Sequence, residues 1–124
     1  MPMSLHARLQ DAQPLFAEIC QALAASLQRV GIDQDLVLAG TPCTHAELRE
    51  DRFDHSLALY AEWRGPTGGY QGSILVYGDG LAYAEFDLLQ AHPHQPHLVI
   101  EAATAWGRAG ALKSELRLLP ALEA

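Results

Sequence analysis

The amino-acid sequence predicts an α+β fold, in which two main helices pack on one face of a mainly antiparallel sheet. Residues 55–90 have the pattern of three consecutive strands joined by glycine-marked turns. Apolar residues recur at helical spacing in residues 12–30 and again in residues 95–108. Two helices on one face of the sheet would be the simplest way to bury both apolar stripes.

Length and composition predict a single globular domain, residues 1–124. A chain of this length can bury enough surface to fold without a metal or a disulfide. Its hydrophobic fraction of 49% and charged fraction of 19% are ordinary. The net charge of −7, with scattered basic residues, argues against nucleic acid or an anionic membrane as partner. No stretch is long and apolar enough to span a membrane.

The N-terminus and the cysteines predict a cytoplasmic protein. No basic start precedes an apolar run, and Glu18 interrupts the nearest candidate for a signal peptide. Cys20 and Cys43 are too few for a disulfide framework, and Cys20 fits a small buried hydrophobe in a helix. Abundant alanine and leucine, seven arginines against a single lysine, and the lack of asparagine are typical of a GC-rich bacterial genome.

The first predicted helix spans residues 12–30. Asp11 is a suitable N-cap, Pro14 suits the first turn, and Gly31 suits the C-terminal end. A separate short helical turn is expected over residues 4–10. The apolar stripe of the helix consists of Phe16, Ile19, Cys20, Leu23, Leu27 and Val30.

The predicted sheet begins with a short strand, LVLAG, after Asp35. Residues 44–47 have the form of a capping box, which predicts a helical turn carrying Leu48. The three-strand meander follows in residues 55–64, 70–77 and 81–90, and Gly78-Asp79-Gly80 supplies its tight hairpin turn.

A proline-containing linker, residues 92–97, leads into the second predicted helix, residues 95–108. Val99, Ala102, Ala103 and Trp106 would share one face of that helix. Residues 112–119 fit either a strand or a helix. A C-terminal strand is favoured because Gly110 has just ended a helix and because an extra strand would cover an open sheet edge.

Three histidines in this linker are a candidate metal site. His92, His94 and His97 have the spacing H-x-H-x-x-H, and imidazoles at this density could bind zinc or nickel. The two prolines, however, favour an extended backbone that holds the side chains apart. The alternative is a polar linker without a metal.

A second candidate site combines Cys43, His45 and His55 with nearby carboxylates. Thiol, imidazole and carboxylate are the groups of a cysteine nucleophile with its base, and the alternative is a set of polar loop residues. The glycine-rich segments lack the lysine and the following helix of a phosphate-binding loop, so no cofactor is predicted.

The aromatic residues of the sheet are a candidate interface. If Leu57, Leu59 and Ala61 face the helices, Tyr60 points to the opposite face, where Tyr77 could join it. Tyrosine is enriched at protein interfaces, and an aromatic sheet face commonly pairs with a second copy. The alternative is that these residues only cover a half-exposed sheet.

These observations favour a non-enzymatic protein-interaction or chaperone-like module that acts as a homodimer, with a further protein partner possible. In size, charge and element order the chain resembles the small acidic chaperones of secretion systems. The competing hypothesis is a metal- or small-ligand-binding enzyme that uses the histidine-rich loop.

Overall fold

The computed structural model of this protein consists of one α-helix and a six-stranded antiparallel sheet. It describes residues 4–32, 45–64 and 70–121. Each strand pairs with the next one in the chain, so the order across the sheet is the chain order. The elements are α1 Leu5–Gln28, β1 His45–Glu50, β2 Leu57–Arg64, β3 Tyr70–Val76, β4 Ala82–Ala91, β5 Leu98–Arg108 and β6 Ala111–Pro120.

The predicted pair of helices is wrong, because residues 98–108 form strand β5. Ala102 and Ala103 have adjacent positions and opposite orientations, yet both are fully buried. A strand buried on both faces loses the polar alternation that identifies a half-exposed strand. In addition, a bulge between Ile100 and Ala102 shifts the register. The apolar residues of β5 therefore coincide with helical spacing although the segment is extended.

Helix α1 begins before the predicted start. The Ser4 hydroxyl accepts a hydrogen bond from the Ala7 N–H at 3.2 Å, so Ser4 rather than Asp11 is the N-cap. Pro14 lies inside the helix, which continues through it because Leu5 and Leu9 pack against the same core as the later turns. At the other end Gly31 adopts the predicted left-handed conformation, with φ of 85°.

The core lies between α1 and one face of the sheet. The helix contributes large side chains, among which Ile19, Leu23 and Leu27 are fully buried. Beneath them the sheet presents small ones, and the helix lies closest to β5 and β6. These small residues are Ala82, Ala84, Ala103 and Ala105.

The direction of α1 follows that of β6. The Glu18 carboxylate accepts a hydrogen bond from the Gly110 N–H at 2.9 Å, and eight residues further along the helix the hydroxyls of Ser26 and Ser114 are 2.6 Å apart. Eight helical residues and four strand residues both span about 12–13 Å. The helix therefore runs alongside the C-terminal strand.

The three-strand meander is confirmed as β2, β3 and β4, and the C-terminal strand is confirmed as β6. The capping-box pattern is misleading, since His45–Glu50 is strand β1 and Leu48 packs on the core from it. The strand predicted after Asp35 lies outside the described residues. No helix of the described segments has the length and hydropathy needed to cross a membrane.

Candidate protein-interaction surface

The face of the sheet opposite α1, here called the open face, carries a row of large apolar side chains across four strands. Tyr60 pairs with Leu75, Leu75 with Tyr83, and Tyr83 with Trp106. Cross-strand partners on one face lie close enough for their side chains to touch. Tyr60, Leu75, Tyr83 and Trp106 therefore form a continuous aromatic row, and the Tyr83 residue is 41% exposed.

A second row, parallel to the first, is acidic. It runs through the register partners Glu62, Ser73, Glu85, Thr104 and Glu115. Because these residues lie two positions along each strand from the aromatic row or its continuation, the two rows are neighbours on the open face. Together they make a surface that is apolar along one line and negative along the next.

Two arginines of the open face are held by carboxylates. Arg117 bridges Glu85 and Glu101. Arg49 lies 3.5 Å above the centre of the Tyr60 ring and 2.7 Å from the Glu47 carboxylate. That carboxylate raises the pKa of the Arg49 guanidinium, so the arginine stays charged over the ring.

A groove of about 510 Å³ opens along the end of the aromatic row. Tyr77, Tyr83 and Trp106 line it with Leu81, Thr104, Glu115 and Arg117. The Thr104 hydroxyl donates to the Glu115 carbonyl at 3.3 Å, so it serves the strand pairing. Elsewhere on the same face partial burial raises the pKa of Asp87, which pairs with the buried Ala102.

Both tyrosines of the predicted interface belong to this surface. Tyr60 lies within the aromatic row, and its hydroxyl donates to Glu62 at 2.7 Å. Tyr77 forms a wall of the groove. That the pair forms a dimer interface stays a prediction. The interface predicted from the sequence does not include Tyr83 or Trp106. The alternation with Ala82 and Ala84 could have assigned Tyr83 to it, whereas Trp106 is expected on a helix by its spacing.

The histidine-rich loop connects β4 to β5, and its first histidine holds the turn together. His92 is 7% exposed, and its Nδ1 accepts hydrogen bonds from the backbone N–H groups of His94 and Gln95, each at 3.1 Å. The rings of His92 and His94 have centroids 6.2 Å apart, and His97 is exposed. Across the described residues no three His, Cys, Asp or Glu side chains form a group that could hold a metal. The metal site stays a prediction, and no ligand cluster among the described residues supports it.

The second predicted constellation divides between described and undescribed parts of the chain. Cys43 and the side chain of His45 lie outside the described residues. His55 lies in the β1–β2 connection, where its Nδ1 is 2.8 Å from a Glu50 carboxylate oxygen. Asp51 accepts from the Phe53 N–H at 2.7 Å, as in a turn-forming aspartate. The described carboxylates of this region thus shape a tight turn.

A cavity of about 580 Å³ lies between the first half of α1 and the turns at one end of the sheet. Several of its polar groups serve the framework. Arg8 donates to the Leu57 carbonyl at 2.9 Å, Glu18 accepts from Gly110, and Arg108 is 2.9 Å from Asp79. These bonds tie the helix and the turns together.

Comparison with protein families, with curated proteins and with solved structures found no significant match to this chain.

Proposed function

We propose that this protein is a non-enzymatic, chaperone-like interaction module of the cytoplasm that acts as a homodimer and holds a partner protein on its open face. The observation that supports this most is the aromatic row, exposed at Tyr83, beside the acidic row. Tyrosine and tryptophan are preferred at binding surfaces because they bury a large area and keep a polar end.

The charge of the open face favours a basic partner segment. Glu85 and Glu101 use Arg117 and Glu47 uses Arg49, whereas Glu115 adds a further negative charge to the acidic row. The whole chain carries −7, so a second open face would meet like charge. A segment with lysine or arginine beside apolar residues would match both rows at once.

The dimensions of the aromatic row suit a short amphipathic segment. Three strand spacings separate Tyr60 from Trp106, which is about 14 Å. A helix of about ten residues covers that distance at 1.5 Å per residue. Its apolar side would lie on Leu75 and Tyr83, with its basic side over the acidic row.

The polar groups of this face support binding better than catalysis. Arg117 is in ion pairs, Thr104 bonds the backbone of β6, and the Tyr60 hydroxyl bonds Glu62. Within the described residues every buried side-chain nitrogen or oxygen has a hydrogen-bond partner. A catalytic site instead needs polar groups that converge on a reacting atom.

The proposal is tested by selecting random peptides from a display library against the immobilised protein. Counter-selection uses the double variant Tyr83→Ser/Trp106→Ser, which removes the two aromatic side chains that β4 and β5 contribute to the aromatic row. Phe53→Ser is the matched control, because Phe53 is a 96% exposed aromatic residue in the β1–β2 turn. Circular dichroism confirms that each variant is folded.

We expect the selected peptides to combine basic with aromatic or aliphatic residues and to weaken in binding as salt increases. The Phe53→Ser control should bind them like the wild type. Peptides that bind the double variant equally well would contradict the proposal, as would a selection with no basic preference.

A further inference from the structure

We infer that the exposed edge of β6 is a homodimerisation edge, where two copies pair antiparallel about a two-fold axis at Ser114. The strand that pairs with this edge is β6 of a second copy of the chain. The inference deepens the homodimer part of the proposed function and does not depend on what the open face binds.

The backbone of β6 suits pairing with a second strand. In the described sheet β6 is an edge strand of ten residues, with β5 on one side. The Glu115 carbonyl accepts from the Thr104 side chain, and just beyond the strand the Ala121 N–H bonds the His97 carbonyl at 2.8 Å. Odd-numbered residues therefore direct their backbone groups towards β5.

Backbone groups alternate between the two sides of a strand. Leu112, Ser114 and Leu116 consequently direct their N–H and C=O groups to the free edge. The ends of this edge are closed, since the Gly110 N–H bonds Glu18 and Pro120 has no N–H. What remains between them is a short ladder of donors and acceptors, ready to pair with another strand.

The charges of β6 are complementary to those of a second, antiparallel copy. Lys113 and Glu115 are exposed on the open face, and within the described residues neither side chain has an ion-pair partner. With the axis at Ser114, Lys113 lies opposite Glu115 of the partner subunit, and the symmetry repeats the pair. Charged residues on an edge strand often prevent pairing, but here their alternating sign permits one register.

Neighbouring registers are worse. An axis at Lys113 puts two lysines opposite each other, and an axis at Glu115 does the same with two glutamates. An axis at Leu116 would place Arg117 opposite Glu115 of the partner subunit, but Arg117 already bridges Glu85 and Glu101. Ser114 is the axis position that leaves the existing ion pairs intact.

The surroundings of the edge would add contact area to the strand pairing. Because α1 runs alongside β6, pairing two β6 strands also brings the two helices side by side on the other face. Leu118, which is 41% exposed near the end of β6, gains a neighbour in the partner subunit. The joined sheet has twelve strands, with both open faces on the same side, so a partner with two basic segments could bind both.

The test uses charge reversal at the two exposed positions, with subunit number measured by light scattering and native mass spectrometry. Lys113→Glu and Glu115→Lys each create two like-charged pairs, so the dissociation constant of the dimer should rise by about tenfold or more. The double variant Lys113→Glu/Glu115→Lys should dimerise like the wild type. Mixing the two single variants should yield a heterodimer, because every pair is then complementary.

Tyr83→Ser/Trp106→Ser is the control, and it should remain dimeric. A wild type that is monomeric at millimolar concentration overturns the inference, and so do single variants that dimerise normally. The inference is also overturned if dimerisation is restored neither in the double variant nor in the mixture of the two single variants. A dimer lost only in the control would place the contact on the open face. Peptide selection on the open face can succeed in each of these cases, so the two proposals fail separately.

Discussion

Replacing His92 by alanine should destabilise the fold through its loop, without any metal being involved. The His92 Nδ1 accepts two backbone N–H groups, from His94 and Gln95, in a side chain that is almost fully buried. Each such hydrogen bond contributes about 0.5–1.5 kcal/mol, so their loss should cost about 1–3 kcal/mol. Asparagine places its Oδ1 close to the position of Nδ1 and is the matched control.

The assay is urea unfolding of the untagged protein, followed by circular dichroism. We expect His92→Ala to lie about 1–3 kcal/mol below His92→Asn, and His97→Ala, an exposed position, to stay within about 0.5 kcal/mol of the wild type. Equal stabilities of the alanine and asparagine variants would refute the turn-holding role of His92. Stabilisation of the wild type by zinc that disappears in all three single alanine variants of His92, His94 and His97 would instead support a metal site.

Three further predictions concern the core, a turn and the open face. Leu23 is fully buried between helix and sheet, so Leu23→Ala should lower the free energy of unfolding by about 2–5 kcal/mol. Gln21→Ala, on the exposed side of the helix, should change it little, and equal effects of the two substitutions would contradict the described packing. At Gly107, where φ is 125°, an added Cβ would lie 2.6 Å from the Ala111 carbonyl oxygen, whereas at Gly110, where φ is 78°, it would have no atom within 4 Å. Gly107→Ala should therefore destabilise the protein more than Gly110→Ala, and thermal melts compare the two variants. Partial burial raises the pKa of Asp87, so ionisation of this side chain opposes folding, and stability falls as pH rises above the ordinary aspartate pKa. Asp87→Asn should therefore be more stable than the wild type at pH 7 and equally stable at pH 3. A stability difference that is the same at both pH values would contradict this assignment.

The parts of the fold that were predictable are those whose residues alternate between two distinct environments. The face of α1 around Ile19 and Leu23 is buried and its other side is exposed, so its helical period is visible in the sequence. Strand β2 alternates in the same way, with Leu59 and Ala61 towards α1. The C-terminal strand was predictable because its charged residues lie on one face.

Strand β5 shows why the rest was not predictable. Ala102 and Thr104 on its open face are buried, as are Ala103 and Ala105 on its helix face, so the burial shows no two-residue period. The start of α1 was missed for a local reason, since Asp11 and Pro14 resemble a helix N-terminus although Ser4 caps the chain earlier. A single chain segment cannot reveal which of two caps is used when apolar residues continue on both sides of it.

The candidate surface depends on register, which lies beyond any one segment. Tyr60, Leu75 and Tyr83 form a row only because three separate strand pairings place them opposite one another. The sequence indicated that Tyr60 faces away from the helix, and this orientation is confirmed. The continuation to Trp106 required β5 to be a strand.

The most direct test of the open face as a binding surface is a nuclear magnetic resonance titration of the ¹⁵N-labelled protein with a selected basic peptide. We expect the backbone amide shifts to concentrate at Tyr60, Leu75, Tyr83, Glu85 and Trp106, with residues 92–97 and the exposed side of α1 unaffected. Shifts centred on the histidine-rich loop or on the helix, with the aromatic row unchanged, would contradict the account.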